Sequence, residues 1–200
     1  MSHQPRPLVL ASASPRRREL LSSLGLRFDV RPCDIDESVV AGESSLGYVR
    51  RLAEEKLHAA FARLDAADGD VFVLASDTTV VVDDVILGKP EDAAEGRAML
   101  ERLSDRAHEV RTAIALGRAG RTLEVRDVVT QVVFRLLGAD EIARYVAIGE
   151  GRDKAGGYGI QGLAGGFVAR IEGSYSNVVG LPVAETLELL VAHGAVEAWP

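Results

Sequence analysis

Hydrophobic positions along the chain switch between two rhythms. Short unbroken apolar runs at residues 8–11 and 71–75 read as buried strands. After the first run, Leu20, Leu21 and Leu24 recur at helical spacing. Ser14 suits the N-cap of that helix, Pro15 its first position and Gly25 its stop. The chain therefore opens as strand, tight turn, helix. Residues 28–31 predict a second strand. A long helix is expected over residues 45–64, with Val49, Leu52, Ala53, Ala60, Phe61 and Leu64 on one face. Val80-Val81-Val82 and Val85-Ile86-Leu87 flank Asp83-Asp84, the pattern of a hairpin. Pro90-Glu91-Asp92 opens a helix that ends near Leu103, with acids in its first turn as the helix dipole prefers. Residues 108–116 and 123–136 predict two long strands joined by a turn. The second alternates in part, as a half-buried antiparallel strand does. A short helix follows at 139–148. Residues 149–166 hold eight glycines and no apolar period, so they read as an irregular loop. A strand at 167–171 and a helix at 182–193 close the chain, the helix with Val183, Leu187, Leu190 and Val191 on one face.

Strands and helices interleave, but the middle of the chain is antiparallel. The expectation is an α/β protein with a mixed sheet and flanking helices. No repeat, low-complexity tract or linker divides it, so residues 1–200 are expected to form one domain. At 200 residues, 47% hydrophobic and 26% charged, the chain has ordinary globular composition. A disordered, collagenous or disulfide-scaffold protein is excluded. One cysteine, Cys33, permits no intrachain disulfide and points to a reducing compartment. No apolar run approaches a membrane span, and residues 1–7 lack the pattern of a signal peptide. The expected location is the cytoplasm. A net charge of −7 argues against broad nucleic-acid or membrane-surface binding. If the ligand is a polyanion, its cations must be gathered locally.

Four features carry chemistry. Ser12-Ala13-Ser14-Pro15-Arg16-Arg17-Arg18 places three arginines in the first turn of a helix. Cations are unfavourable there by about 0.3–1 kcal/mol each, and the guanidiniums repel one another. The arrangement makes sense if a bound anion supplies the negative charge, since a helix N-terminus after a strand presents its N–H groups to anions. Arg17 falls on the inward face, and Ser12 and Ser14 add hydroxyls; a solvated basic turn is the plainer alternative. Ser76-Asp77-Thr78-Thr79 directly follows the strand at 71–75, a place for a metal ligand or general base, or for a simple capped turn. Lys89, in Gly88-Lys89-Pro90, and Lys56, after Glu54 and Glu55, are point charges suited to phosphate; exposed surface lysines are the alternative. Finally, Gly157, Gly159 and Gly162 match G-x-G-x-x-G by spacing. A strand rather than a helix follows, so the dinucleotide reading is rejected. What remains is a loop that lets backbone approach a ligand, with Gln161 carrying both a donor and an acceptor. His3, His58, His108 and His193 are scattered, so any metal would be oxygen-bound, with Asp77, Glu37 or Asp36 as candidates. No serine-nucleophile elbow or P-loop is present.

Taken in order, these pieces resemble the Maf family of nucleoside triphosphate pyrophosphatases. The matching blocks are Leu10-Ala11-Ser12-Ala13-Ser14-Pro15-Arg16-Arg17 with Leu20-Leu21, the Asp36-Glu37 region, Lys56, Ala75-Ser76-Asp77-Thr78, Gly88-Lys89-Pro90, His108-Glu109-Val110-Arg111-Thr112, Asp153-Lys154-Ala155-Gly156-Gly157-Tyr158-Gly159-Ile160-Gln161-Gly162 and Gly173-Ser174-Tyr175-Ser176-Asn177-Val178-Val179-Gly180-Leu181-Pro182. The Tyr-Gly-Ile-Gln-Gly block is similar to the subfamily acting on dTTP and UTP rather than its 7-methyl-GTP sister. Leu103-Ser104-Asp105 departs from the family's usual Leu-Ser-Gly.

The resemblance implies an elongated two-lobed α/β fold with a central cleft, related to the inosine triphosphate pyrophosphatases. It implies hydrolysis of dTTP, UTP or modified pyrimidine triphosphates to monophosphate and pyrophosphate. Asp77 is the implied catalytic acid–base residue. Arg16, Thr78 and Gln161 fall on base-specificity positions, and Ser12, Arg17, Glu37, Lys56 and Lys89 on other active-site positions; with Ser14 at the helix start, Ser12, Arg17, Lys56 and Lys89 are expected to bind phosphate. Glu37 and Asp77 would hold a divalent cation, Mg2+ or Mn2+. The nucleotide is the expected partner, with no nucleic acid or membrane, and a homodimer is implied. The task would be to clear non-standard nucleotides or to influence cell division. The rival readings are a nucleotide-binding regulator of septum formation with little catalysis, and the same chemistry on 7-methyl-GTP or other modified nucleoside triphosphates.

Overall fold

The computed structural model describes residues 4–199; His3 and the rest of 1–3, and Pro200, lie outside the described residues. The elements run β1 (Leu8–Ala11), α1 (Pro15–Ser23), β2 (Asp29–Val30), α2 (Ser45–Phe61), β3 (Phe72–Val82), β4 (Val85–Leu87), α3 (Ala93–Leu103), β5 (Ala107–Arg118), β6 (Arg121–Phe134), α4 (Ala139–Ile148), β7 (Val168–Glu172), α5 (Tyr175–Val179) and α6 (Val183–Ala192). Short 3-10 turns occupy Ala155–Gly157 and Leu163–Phe167. The strands form one mixed seven-stranded sheet in the order β2-β1-β3-β5-β6-β7, with β4 paired to β3. β1 is parallel to both β2 and β3, with Leu10 opposite Val30 and Leu74. β3 and β4 are antiparallel, as are β6 and β7. The expected fold class is the one observed.

The chain divides into two compact units. The first holds Met1–Asp77, Thr112–Val128 and Gly180–Pro200; the second holds Thr78–Arg111 and Val129–Val179. Within the first unit, alternation along the strands makes two cores. Leu8, Leu10, Phe72 and Leu74 pack with Leu21 and Leu24 and with Leu189 and Leu190 of α6. Val9, Ala11, Val73 and Ala75 point the other way, onto Val49, Ala53, Leu57 and Ala60 of α2. At the far end of α1, the indole N–H of Trp199 donates to the Leu24 carbonyl at 2.8 Å. The second unit has one core, built on Leu100, Leu103, Val132, Phe134 and Phe167.

Three details differ from the sequence reading. β3 is one continuous strand, so Ser76-Asp77-Thr78-Thr79 lies within it rather than after it. Threonine and serine tolerate extended backbone, and the apolar runs on both sides keep the strand going. The strand expected at 28–31 shrinks to Asp29–Val30, both exposed. The five-residue α5 was not foreseen, being too short to show a period.

Two turns explain other sequence features, the β3–β4 hairpin and the connection from α3 to β5. Asp83 and Asp84 both take positive φ, 52° and 59°, as a two-residue turn with the twist of its strands requires. Asp105, at the family's usual glycine, has φ 58°, and its N–H donates to the Arg135 carbonyl. Aspartate tolerates this left-handed backbone better than most residues, but glycine takes it without strain. Asp105 is exposed. Asp105→Gly therefore raises unfolding free energy by about 0.5–1 kcal/mol, seen as a higher urea midpoint at unchanged slope. An unchanged or lowered midpoint rejects the strain.

Candidate active site

Strand alternation places the chemistry of the first unit. On β3, Asp77 follows Val73 and Ala75 and so faces α2; Ser76 follows Phe72 and Leu74 and faces the side of α1. On α2, Tyr48, Leu52 and Lys56 recur every four residues and all turn inward. Lys56, read alternatively as a solvated lysine, is 8% exposed. Its ammonium donates to Asp77 Oδ1 at 2.5 Å and to Glu37 Oε1 at 2.7 Å. Asp77 is 6% exposed, so the contact is a buried ion pair. Glu37 comes from the segment before α2. The Tyr48 hydroxyl donates to its carbonyl at 2.9 Å, and Arg51 donates to the next carbonyl, of Ser38, at 3.0 Å. Burial and the nearby charges of Asp77 and Glu37 push the Tyr48 phenol up to about 12.

Helix α1 starts as the sequence indicates. The Ser14 hydroxyl accepts from the Arg17 N–H at 3.4 Å, and no acid sits in the first turn. The half-buried Arg17 side chain folds back across the N-terminus. Its Nε donates to the Gly180 carbonyl at 2.8 Å, and one terminal nitrogen reaches the Ser12 hydroxyl at 3.4 Å. The Ser76 hydroxyl donates to the same Gly180 carbonyl at 3.1 Å. Burial lowers the Arg17 pKa from its ordinary value; Asp77 and Glu37 pull it back up and Arg16 pushes it down. The guanidinium thus shares its field with the Lys56 cluster. Ser12 is buried and accepts from the Ser14 N–H.

The first unit therefore brings together Ser12, Ser14, Arg16, Arg17, Glu37, Lys56 and Asp77. Asp36 is set apart: exposed, it accepts from the Ser38 N–H and hydroxyl and closes a local turn. The remaining candidates belong to the second unit. There exposed Lys89 and exposed Gln161 lie on loops joined by a bond from the Gly156 N–H to the Gly88 carbonyl, 3.0 Å. Thr78 begins this unit. The glycine-rich loop was read as backbone open to a ligand. Within the loop, Gly159 and Gly162 leave room for the side chains of Lys154 and Glu150, which a Cβ would crowd. Sequence reasoning gave no role to Tyr48, Ser76 or Gly180, although Ser76 and Gly180 lie within the blocks that carry the family resemblance. The helical spacing of Tyr48 and Lys56 was a usable signal; the Gly180 carbonyl left none.

Chemically, the cluster offers two carboxylates, one of them buried, an ammonium between them, and a guanidinium at a helix N-terminus. Among the described residues no group of three or more His, Cys, Asp or Glu could hold a metal by itself. Lys56 takes one oxygen of each carboxylate, and carboxylate oxygen is the donor type that a hard cation such as Mg2+ prefers. No helix among the described residues is long and apolar enough to cross a membrane.

Comparison with known proteins shows the family. Residues 7–193 match the family described as Maf-like protein. A dTTP/UTP pyrophosphatase of Myxococcus xanthus is 53% identical over 193 residues, 96% of this chain and 95% of that protein. One from Methylobacillus flagellatus is 54% identical over 183 residues, 92% and 90% of the two chains. Among solved structures, a HAM1 protein from Coxiella burnetii superposes with a TM-score of 0.51 at 20% identity, covering 94% of this chain and 99% of that one, which speaks to the fold alone. The chain belongs to the Maf-like protein family.

Proposed function

We propose that the protein is a nucleoside triphosphate pyrophosphatase that cleaves dTTP and UTP to the monophosphate and pyrophosphate. The observation that carries the reading is the buried Lys56 ammonium shared by Asp77 and Glu37 beside the Arg17-bearing helix N-terminus. The named activity of the half-identical relatives supports the substrate class. Water attacks the α-phosphorus, the bond to the bridging oxygen breaks, and pyrophosphate carries that electron pair away. Asp77 orients the water and accepts its proton. Arg16, Arg17, Lys56 and Lys89 bind phosphate oxygens, with Ser12 donating and Ser14 holding the helix start. Positioning and charge supply most of the rate, because this transfer needs little covalent help. When bound, a divalent cation, Mg2+ or Mn2+, held by Asp77 and Glu37, offsets phosphate charge. Gln161, aided by Thr78 and Arg16, reads the O4 and N3–H edge of the pyrimidine with one donor and one acceptor. We also propose that residues 1–200 act as one Maf-like domain, as a homodimer in the cytoplasm, in clearing nucleotides or in division control.

A panel of ribo- and deoxyribonucleoside triphosphates with Mg2+ or Mn2+ tests the reading by product analysis. Monophosphate and pyrophosphate, formed fastest from dTTP and UTP, are expected. Diphosphate and inorganic phosphate would reject the site of attack. Binding without turnover would favour the regulator.

A further inference from the structure

The segment that carries Gln161 is glycine-rich but not slack. Glu150 opens it, and its carboxylate turns onto backbone 13 and 14 residues further on. Oε2 accepts from the Leu163 N–H at 3.0 Å, and Oε1 from the Ala164 N–H at 3.5 Å. Oε1 also accepts from the Tyr145 hydroxyl at 3.1 Å, and that hydroxyl accepts from the Gly159 N–H at 3.2 Å. The backbone just after Gln161 is thus tied to Glu150 directly, and the backbone just before it through the Tyr145 hydroxyl that Glu150 accepts from. The fit is close: a Cβ at Gly162 would lie 2.3 Å from Glu150 Oε1, so only glycine leaves room for the carboxylate. A half-exposed glutamate can stay in water at no cost. This one is committed to three donors, none of them a charged partner, and Gln161 is the exposed polar side chain between the points it fixes.

We infer that Glu150 is a positioning residue for base discrimination, holding the main chain on both sides of Gln161 so that the amide meets the base edge in one orientation. The inference rests on the reading of Gln161 as the base-contacting residue. A carboxylate serves better than an amide here. Donors converge on both oxygens, and glutamine would turn an NH2 group toward one of them.

Glu150→Ala, Glu150→Gln, Gln161→Ala and the double variant Glu150→Ala/Gln161→Ala in the full chain decide the matter. The readouts are kcat and KM for dTTP, UTP and GTP, and amide hydrogen exchange over residues 159–164. Glu150→Ala raises KM for dTTP and UTP about tenfold, with kcat moving several-fold less, because sub-ångström misplacement is costly. The pyrimidine-over-purine ratio falls by a similar factor and exchange in 159–164 accelerates. Glu150→Gln falls between Glu150→Ala and the natural protein. The double variant discriminates no worse than Gln161→Ala alone, since the two act through one contact. If Gln161→Ala flattens the base preference while Glu150→Ala keeps both preference and exchange, Glu150 has no such role and the base-reading assignment stands. Full additivity in the double variant has the same meaning. If Gln161→Ala leaves the preference unchanged, the base-reading assignment fails and this inference with it. Should Glu150→Ala not fold, Glu150→Gln carries the test, and an unchanged ratio and exchange rate overturn the proposal.

Discussion

Asp77→Asn lowers kcat for pyrophosphate release by about 10³-fold, while nucleotide affinity stays within a few-fold. The asparagine has nearly the same shape, and its amide oxygen can still accept from Lys56, which keeps its second bond to Glu37. What is lost is a group able to take a proton from water at its working position. Single-turnover kinetics separate that loss from weaker binding. A drop in affinity that accounts for the whole effect would make Asp77 a structural partner of Lys56. Turnover close to that of the natural protein would remove it from the chemistry altogether.

The second large effect is on stability in acid, and its source is His108 in the second unit. The ring is 3% exposed, edge-on to Phe134 and Tyr158, with Nε2 bonded to the Tyr158 hydroxyl at 2.7 Å. Nδ1 is buried without a hydrogen-bond partner. Protonation would put a second N–H where nothing accepts it, and burial pushes the pKa from 6.5 down to about 4. The folded state therefore binds this proton more weakly than the unfolded chain does. The stabilisation is whole above about pH 6.5 and is lost as pH falls through that value toward 4. A shift of this size corresponds to about 3 kcal/mol. Urea unfolding between pH 7.5 and 4 should show His108→Gln less stable than the natural protein at neutral pH and losing about 3 kcal/mol less on acidification. Parallel losses in the two proteins would mean that other groups govern the acid response.

Much of the fold was legible because its signals are local. Ser14, Pro15 and Gly25 mark the ends of α1, and the paired aspartates at 83 and 84 mark a hairpin. At the site, the arginines at the helix start and the lone Asp77 between apolar runs were readable as anomalies. Lys56 was not, since its burial depends on β3 setting a carboxylate opposite α2, a contact 21 residues away in sequence. The continuity of β3 through Ser76-Asp77-Thr78-Thr79 was hidden for a related reason. Polar residues look like a turn until both their neighbours along the strand and their partners across it are known. Glu150 left still less trace, because its partners are backbone N–H groups in an irregular loop and have no side-chain pattern to betray them.

The bond between Trp199 and the carbonyl of Leu24 has a practical consequence. The chain has a single tryptophan, so its emission is an optical signal from one place, the end of the helix whose other end carries Arg16 and Arg17. Quenching and spectral shift of that indole can follow α1 in solution without any introduced label.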